Sequence, residues 1–406
     1  MPFKRLGLDV NLVESVQGMG YDEPTPIQVE AIPHALAGRD IVGCAQTGTG
    51  KTAAFILPTL QRISDKPGVK ALVVTPTREL AHQIEEVAVA CGRYTHHKIV
   101  AVYGGVKYMD QEDKLRRGVD MVVATPGRLL DLMNRRTVDL SGVEVLVLDE
   151  ADRMLDMGFW PDVRRIINVL PPKRQNLLFS ATMSAKVLDV IGHTLDRPVA
   201  IEIGPRSTPV DSVNQCIYPV DSMQKDELLV ELLKKTEMER VLVFSRTKRR
   251  ADYLAKMLGR RGLAVATIHS DLTQAQRQKT LDGFRNGRHR ILIGTDIVAR
   301  GIDVENISHV INFDMPSNPE DYVHRIGRTA RAGESGTAIS LFAAEELADL
   351  RDIESFIGKR LPVEDLEGFD YVDRFVPDDT TNPPRPRARL AYNGGARRMT
   401  QRRRRR

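Results

Sequence analysis

Ile41-Val-Gly-Cys-Ala45-Gln46-Thr47-Gly48-Thr49-Gly50-Lys51-Thr52 is the stretch from which the rest of the chain can be read. Residues 41–42 are β-branched and apolar, a strand signal. A loop of Gly and Thr follows, then a helical pattern. Strand, glycine-rich loop and helix in that order make a phosphate-binding loop. Gly48 and Gly50 let backbone N–H groups approach a phosphate closely. Lys51 would reach the β- and γ-phosphates, and Thr52 would ligate Mg²⁺. Ala45 stands where the strict pattern has glycine.

Outward from this loop, short apolar runs alternate with helix-period segments. Residues 71–74, 99–102, 121–123, 145–148 and 177–179 read as strands, as do 241–244, 265–267, 291–293 and 310–313; 78–90 and 128–134 read as helices. Such alternation predicts an α/β fold on parallel sheets flanked by helices. The pattern pauses at a Pro- and Ser/Thr-bearing stretch, 205–212, which reads as a linker. The chain also matches itself at an offset of 170. Ala71-Leu-Val-Val-Thr75-Pro-Thr-Arg78 resembles Val241-Leu-Val-Phe-Ser245-Arg-Thr-Lys248, and Met121-Val-Val-Ala-Thr125 resembles Ile291-Leu-Ile-Gly-Thr295. Two matches at one offset predict two copies of one α/β unit, the second without a phosphate loop. The expected division is an N-terminal domain over 1–204, the linker, a C-terminal domain over 213–368 and a disordered Arg-rich tail over 369–406.

Composition bounds the partners. With 42% hydrophobic and 28% charged residues in 406, the chain suits a globular protein of two domains. No apolar run approaches the ~18 residues of a bilayer span. The first nine residues hold Lys4 and Arg5 but no apolar leader core, so no membrane association and a cytoplasmic location are expected. Cys44, Cys91 and Cys216 are far apart and lack metal-ligand spacing, which fits a reducing compartment. Residues 385–406 hold ten arginines and no acid; set against the net +5 of the chain, residues 1–384 carry −5. A basic arm points to a polyanion, most often nucleic acid, the plain alternative being a solvated tail.

A phosphate loop needs a carboxylate at the end of a neighbouring strand. Val145-Leu-Val-Leu-Asp149-Glu150-Ala151-Asp152 supplies it, with Asp149 emerging at the carboxyl end, where open α/β sheets bind ligands. Asp149 would hold Mg²⁺ and Glu150 would orient the attacking water. Here the chain resembles the DEAD-box ATP-dependent RNA helicases, whose signature is Asp-Glu-Ala-Asp. Ala330, where glycine is usual, resembles the bacterial RhlE-like subgroup. The resemblance covers about residues 3–331 and implies two tandem RecA-like domains that use ATP and Mg²⁺.

The resemblance also implies roles for particular residues. Phe3, Gly20-Tyr21 and Pro24-Thr25-Pro26-Ile27-Gln28 look like an adenine-reading segment, with Gln28 on the base edge, an aromatic near it and Thr25 alongside. Gln46, Thr47, Gly48, Thr49, Gly50, Lys51 and Thr52 would cradle the phosphates. Gly301 and Asp303, in Thr295-Asp296-Ile-Val-Ala-Arg300-Gly301-Ile302-Asp303, would touch the nucleotide from the second domain. Arg328 and Arg331, in His324-Arg325-Ile-Gly-Arg328-Thr-Ala-Arg331, match arginine fingers, each typically worth about 10³–10⁵ in rate. Ser180 and Thr182, with Asp152 and His324, match the set that couples hydrolysis to unwinding. Arg78, Gly104, Gly105, Thr125 and Arg128 match RNA contacts of the first domain, and Arg246, Arg277 and Thr295 those of the second. Amides, hydroxyls and single arginines hold phosphates and sugars without reading bases, so sequence-independent binding with a 2′-OH preference is expected. The implied activity is RNA-stimulated ATP hydrolysis coupled to local, non-processive unwinding of RNA duplexes or remodelling of RNA–protein complexes. A monomer is expected, with ribosomal or RNA-decay proteins as candidate partners. An ATP-gated clamp or annealing chaperone fits the motifs almost as well. A DNA translocase fits the adenine-reading segment and Asp-Glu-Ala-Asp less well.

Overall fold

The computed structural model describes residues 2–45, 48–183, 185–203, 213–235, 238–296, 307–329, 336–372 and 374–377. Among these, seven strands form one parallel sheet: β1 (Ile41–Cys44), β2 (Ala71–Val74), β3 (Ile99–Val102), β4 (Met121–Ala124), β5 (Val145–Leu148), β6 (Gln175–Ser180) and β7 (Val199–Glu202), in the order β3-β4-β2-β5-β6-β1-β7. A second parallel sheet contains β8 (Val213–Pro219), β9 (Val241–Phe244), β10 (Val265–Ile268), β11 (Ile291–Gly294), β12 (His309–Asn312) and β13 (Gly336–Phe342), in the order β10-β11-β9-β12-β13-β8. Strands such as β2, β4, β5, β9 and β11 are buried at every position, as strands covered on both faces must be.

The two sheets repeat one topology. Replacing β1–β6 by β8–β13 gives the second order from the first, with β7 as an added edge. Register repeats as well. Ala71 lies opposite Met121, and Val241 lies opposite Ile291, so the offset of 170 holds across the pairing. It extends to a helix cap: Thr77 Oγ1 accepts from Leu80 N at 3.3 Å at the start of Arg78–Cys91, and Thr247 Oγ1 accepts from Arg250 N at 3.1 Å at the start of Lys248–Arg260. Strands β7, β8 and β13 were not legible as apolar runs. Asn214, Gln215, Glu202, Thr337 and Ser340 interrupt them, and each lies at or beside a sheet edge. The helix expected from 128 begins at Pro126, a residue suited to a first helical position.

The expected tail boundary needs correction. Rather than losing structure at 369, the chain stays packed beyond it. Leu366, Phe369 and Tyr371 lie on the core of the second sheet. Val363 pairs with Ile217 of β8, Tyr218 Oη donates to Glu364 at 3.0 Å, and Gln224 bonds the backbone of Asp370 and Val372, each at 2.9 Å. This strap covers the open edge of β8, which would otherwise expose unpaired backbone. Apolar period was the only cue for the boundary, and an extended strap has no helical period to show. The rest of the expected tail, 378–406, and the linker, 205–212, lie outside the described residues.

A chain ended at residue 360 should melt about 10 °C lower than the full chain, on roughly 1–2 kcal/mol per lost apolar side chain and ~2–4 °C per kcal/mol. A chain ended at 377 should melt like the full one. Thermal denaturation of the two truncations checks this; equal melting would remove the strap's role.

Candidate nucleotide and RNA site at the seam of the two sheets

In parallel sheets every strand delivers its following loop to the same edge. The order β5-β6-β1 therefore brings three loops together: Asp149 after β5, Ser180-Ala181-Thr182 at the end of β6, and the phosphate loop after β1. The order β4-β2 brings Thr125 beside Thr75 to Arg78 at the same edge, and β11-β9 places Thr295 beside Ser245 and Arg246 in the second sheet. Thr75 N donates to Ala124 O at 3.0 Å, and its counterpart Ser245 N donates to Gly294 O at 2.9 Å.

Gly50 caps the helix Lys51–Arg62 at φ +87°, a conformation that favours glycine. A side chain there would also collide, because its Cβ would sit 2.5 Å from Gln28 Nε2. Gln28 Nε2 donates to Gly50 O at 3.1 Å, and its Oε1 accepts from Thr25 N at 2.9 Å. Gln28 thus braces the phosphate loop, which the sequence did not reveal. Lys51 Nζ, buried, donates to Ala45 O at 2.6 Å and so folds back over its own loop. Phe3 is a core residue at 3% exposure, turned inward with Leu6 in the one-turn helix Phe3–Leu6, so it presents no open face to a base. Tyr21 is exposed. Gln46 and Thr47 lie outside the described residues, as do Gly301, Asp303, Arg331 and Ala330.

Asp149 is 3% exposed. Burial pushes its carboxyl up to about 7, against the pull of Lys51. A buried acid that resists ionising, at the same sheet edge as the first helical turn that carries the Thr52 hydroxyl, supplies oxygen donors of the kind a hard divalent cation takes. Glu150 takes the left-handed conformation, φ 52°, as the chain turns from β5 into the helix Ala151–Asp156. Burial raises its carboxyl, but Arg153, Arg328 and Lys51 together hold it below its ordinary value. Arg153 Nη1 donates to Glu150 Oε2 at 2.7 Å. Asp152 Oδ2 accepts from Ala181 N at 3.1 Å, Thr182 N at 2.9 Å and Thr182 Oγ1 at 3.1 Å, while Ser180 Oγ donates to Thr182 O at 2.8 Å. The two expected coupling segments are thus one hydrogen-bonded unit.

The second sheet closes the site. His324 and Arg328, from the end of the helix Pro319–Ile326 and the turn after it, line one small cleft with Lys51, Glu150, Asp152 and Ala181. Arg328 is 4% exposed and donates through Nε to His324 O at 3.3 Å. Arg325, unassigned from sequence, is fully buried and grips both oxygens of Asp296 at 2.6 and 2.8 Å. It therefore anchors the start of the segment that holds Thr295. A second seam contact was also missed: Arg277 Nη1 meets Glu79 Oε1 at 2.8 Å, both side chains under a tenth exposed. Only tertiary structure could pair residues 198 apart.

Two arginines expected on the RNA path are used inside the protein. Arg277 spends its guanidinium on Glu79 and His269 O. Arg128 donates to Gln111 Oε1 at 3.2 Å and Val106 O at 3.0 Å and stacks on Tyr108. Both guanidiniums are therefore already bonded within the protein. Arg78 lies flat on Gly104 and Gly105; a Cβ on Gly105, at φ +84°, would be 2.1 Å from Arg78 Nη1. Burial, then the nearby Arg277, lowers the Arg78 pKa despite Glu79. Arg246 is exposed, its backbone N–H held by Asp314 at 2.8 Å. Thr125 is nearly buried at the start of Pro126–Asn134.

The Asp149 carboxyl lies near 7 when folded against an ordinary 3.8, so between these values the folded protein keeps a proton that the unfolded chain has lost. Its contribution to stability is full below the ordinary value and fades as pH rises through about 7. Asp149→Asn should therefore raise the nucleotide-free melting temperature at both pH values, and by roughly two- to threefold more at pH 8 than at pH 5. Melting curves at the two pH values check this; an equal shift at both would remove the buried-charge account.

Comparison with known proteins agrees with this geometry. The DEAD/DEAH box helicase family matches residues 25–190, and the helicase conserved C-terminal domain matches 224–333. The DEAD-box ATP-dependent RNA helicase CshA of Bacillus cereus is 43% identical over 369 residues, covering 91% of this chain and 70% of its own. S. cerevisiae Dbp5 bound to RNA and ADP BeF3 superposes with a TM-score of 0.82 at 33% identity, over 89% of this chain and 95% of that one. A Dbp5 variant bound to Nup159, Gle1, IP6 and ADP superposes with only 0.61 at 31% identity, over 88% and 95%, so the two halves here are set as in the relative holding RNA and nucleotide together. With two RecA-like domains, the Asp149-Glu150-Ala151-Asp152 signature and these relatives, the chain belongs to the DEAD-box family of ATP-dependent RNA helicases.

Proposed function

We propose that this chain hydrolyses ATP when RNA closes its two domains, and that closure separates RNA strands locally. The observation that carries the reading is Arg328, a residue of the second domain buried in one cleft with Lys51 and Glu150 of the first. A phosphate loop alone balances the charge developing on a γ-phosphate poorly, and an arginine delivered from outside corrects this. In this reading Lys51 leaves Ala45 O for the terminal phosphates, Glu150 orients the attacking water, and Gln28, with Thr25, holds the loop while its remaining amide donor meets the adenine edge. Mg²⁺ would be held by Thr52 and Asp149 and would supply charge neutralisation of the phosphates. Glu150 stays ionised beside Arg153, as a group that accepts a proton from water must. Asp152, bonded to Ala181 and Thr182, passes the state of the site to the RNA edge, and His324 stands at the seam where the two meet. Gly301, Asp303 and Arg331 are assigned by motif.

RNA would lie across Arg78, Gly104, Gly105 and Thr125 on one domain and Arg246 and Thr295 on the other, with Arg128 and Arg277 shaping the path. Both ligands bridge the seam, so each favours closure and thereby the other's binding. Opening about five base steps costs on the order of 7 kcal/mol, at roughly 1.4 per DNA step, which one closure can meet and a long duplex exceeds. The reading is therefore local and non-processive, by a monomer divided into 1–204 and 213–368, with ribosomal or RNA-decay complexes as candidate settings. Among the described residues no helix is long and apolar enough to cross a membrane; cytoplasmic RNA is the proposed substrate. The RhlE-like affiliation rests on Ala330 alone, while the matched relative is a CshA.

Arg328→Ala should cut RNA-stimulated ATP turnover by about 10³-fold or more while ATP binding survives. Turnover and equilibrium nucleotide binding measured on the same preparation check this; turnover close to wild type would remove Arg328 from the site. Strand separation should fall steeply between duplexes of about six and about twenty base pairs, following the per-step cost. Equal rates on both would exclude the local mode.

A further inference from the structure

A basic cleft on the first domain remains unused by this reading. Arg116, Arg135, Arg136 and Thr137 wall it together with Glu112, and it is open to solvent with a volume of about 410 Å³. One wall residue, Arg135, belongs to a stack. The Tyr108 ring has the Arg128 guanidinium 3.9 Å from its centroid and that of Arg135 at 4.0 Å. Two guanidiniums so near one ring must take its opposite faces. Tyr108 Oη is fixed in turn by Asp131, at 3.0 Å.

The carboxylates present do not balance the cleft. Glu112 serves both Arg116, at 3.5 Å, and Arg135, at 3.7 Å, and Asp113 meets Arg116 at 3.2 Å. Exposed pairs of this kind contribute little, typically 0–1 kcal/mol. Among the described residues Arg136 has no carboxylate partner, and it holds the left-handed conformation at φ 57°. Attraction of cations to helix C-termini accounts for Arg116 and Arg135, which end Tyr108–Arg116 and follow Pro126–Asn134. It does not account for Arg136, which lies past the helix in a conformation costing ~1–2 kcal/mol. Nor does it account for a rigid stack that holds like charges together. An anion with two accepting oxygens relieves that repulsion, and the guanidinium fork suits the two non-bridging oxygens of a phosphodiester.

We infer that this cleft binds a backbone phosphate of RNA that continues beyond the core path, as a second anchor for the same strand. Continuity with the path favours RNA over an acidic protein. Arg128, in the same stack, donates to Val106 O beside the Gly104–Gly105 loop. The nine-residue helix Pro126–Asn134 runs from Thr125 on the path to the cleft. That is about 13 Å at ~1.5 Å per residue, spanned by about four stacked nucleotides at ~3.4 Å each.

The inference rests on the proposed RNA path, and the experiment separates the two. Full-length protein with a non-hydrolysable ATP analogue is titrated into labelled oligouridylates. One is just long enough to stimulate ATP turnover; two others carry about ten further nucleotides on the 5′ or the 3′ side. Arg136→Glu and the milder Arg136→Gln should leave the short RNA unchanged. The Glu variant should weaken binding of one extended RNA by about 3- to 10-fold and lower its salt slope by roughly one. Equal loss on short and extended RNA, equal loss for both extensions, or no loss overturns the inference. Failure of the short RNA to bind wild-type protein would instead overturn the path itself.

Discussion

Arg277 and Glu79 meet at 2.8 Å with both side chains withdrawn from water, one from each domain. Such a pair contributes little net attraction, because desolvating two charges offsets most of their Coulomb energy. Its effect is on geometry. Closing the domains out of register would bury either charge alone, at a cost of about 3–5 kcal/mol. The pair therefore favours the closed arrangement in which Arg328 lies beside Lys51 and Glu150. The free energy of closure must come from ligands that touch both domains, since a ligand shifts an equilibrium only by its differential affinity for the two states.

The repeated topology suits the proposed bridging by both ligands. Each sheet presents a strand-end edge with a hydroxyl after two adjacent strands, Thr75 and Thr125 on one, Ser245 and Thr295 on the other. A chain of repeating phosphates suits two similar edges. The nucleotide edge is asymmetric. Only the first domain has the phosphate loop after β1; its counterpart β8 ends at Pro219 and carries the strap instead. The second domain contributes cations to a site it cannot form alone.

The site holds its charges under constraint. Asp149 is kept near neutrality by burial, Lys51 is folded back on Ala45 O, and Glu150 is ionised among cations in a left-handed backbone. At the RNA edge, burial and Arg277 press on Arg78. Positive charge that the protein does not neutralise is the condition under which phosphate binds strongly and without regard to base.

Much of this was legible in sequence. Residues 41–52 and 145–152 carry their chemistry in residue type and spacing, because a phosphate loop and a strand-end carboxylate are local constructions, whereas the role of 324–331 was implied by resemblance. The offset of 170 exposed the duplication, because buried parallel strands are nearly pure apolar runs. What only tertiary structure decided was the partner of each charged side chain. Arg277 and Arg128 look like any RNA-facing arginine in sequence, yet Glu79, Gln111 and Val106 occupy them; Gln28 looks like a residue of the base edge, yet it braces Gly50; Phe3 looks like an aromatic beside the base, yet it is core. A side chain's type states which bonds it is able to make. Folding determines which of them are already made, because burial removes the competing water and leaves only the neighbours that the sheets bring within reach.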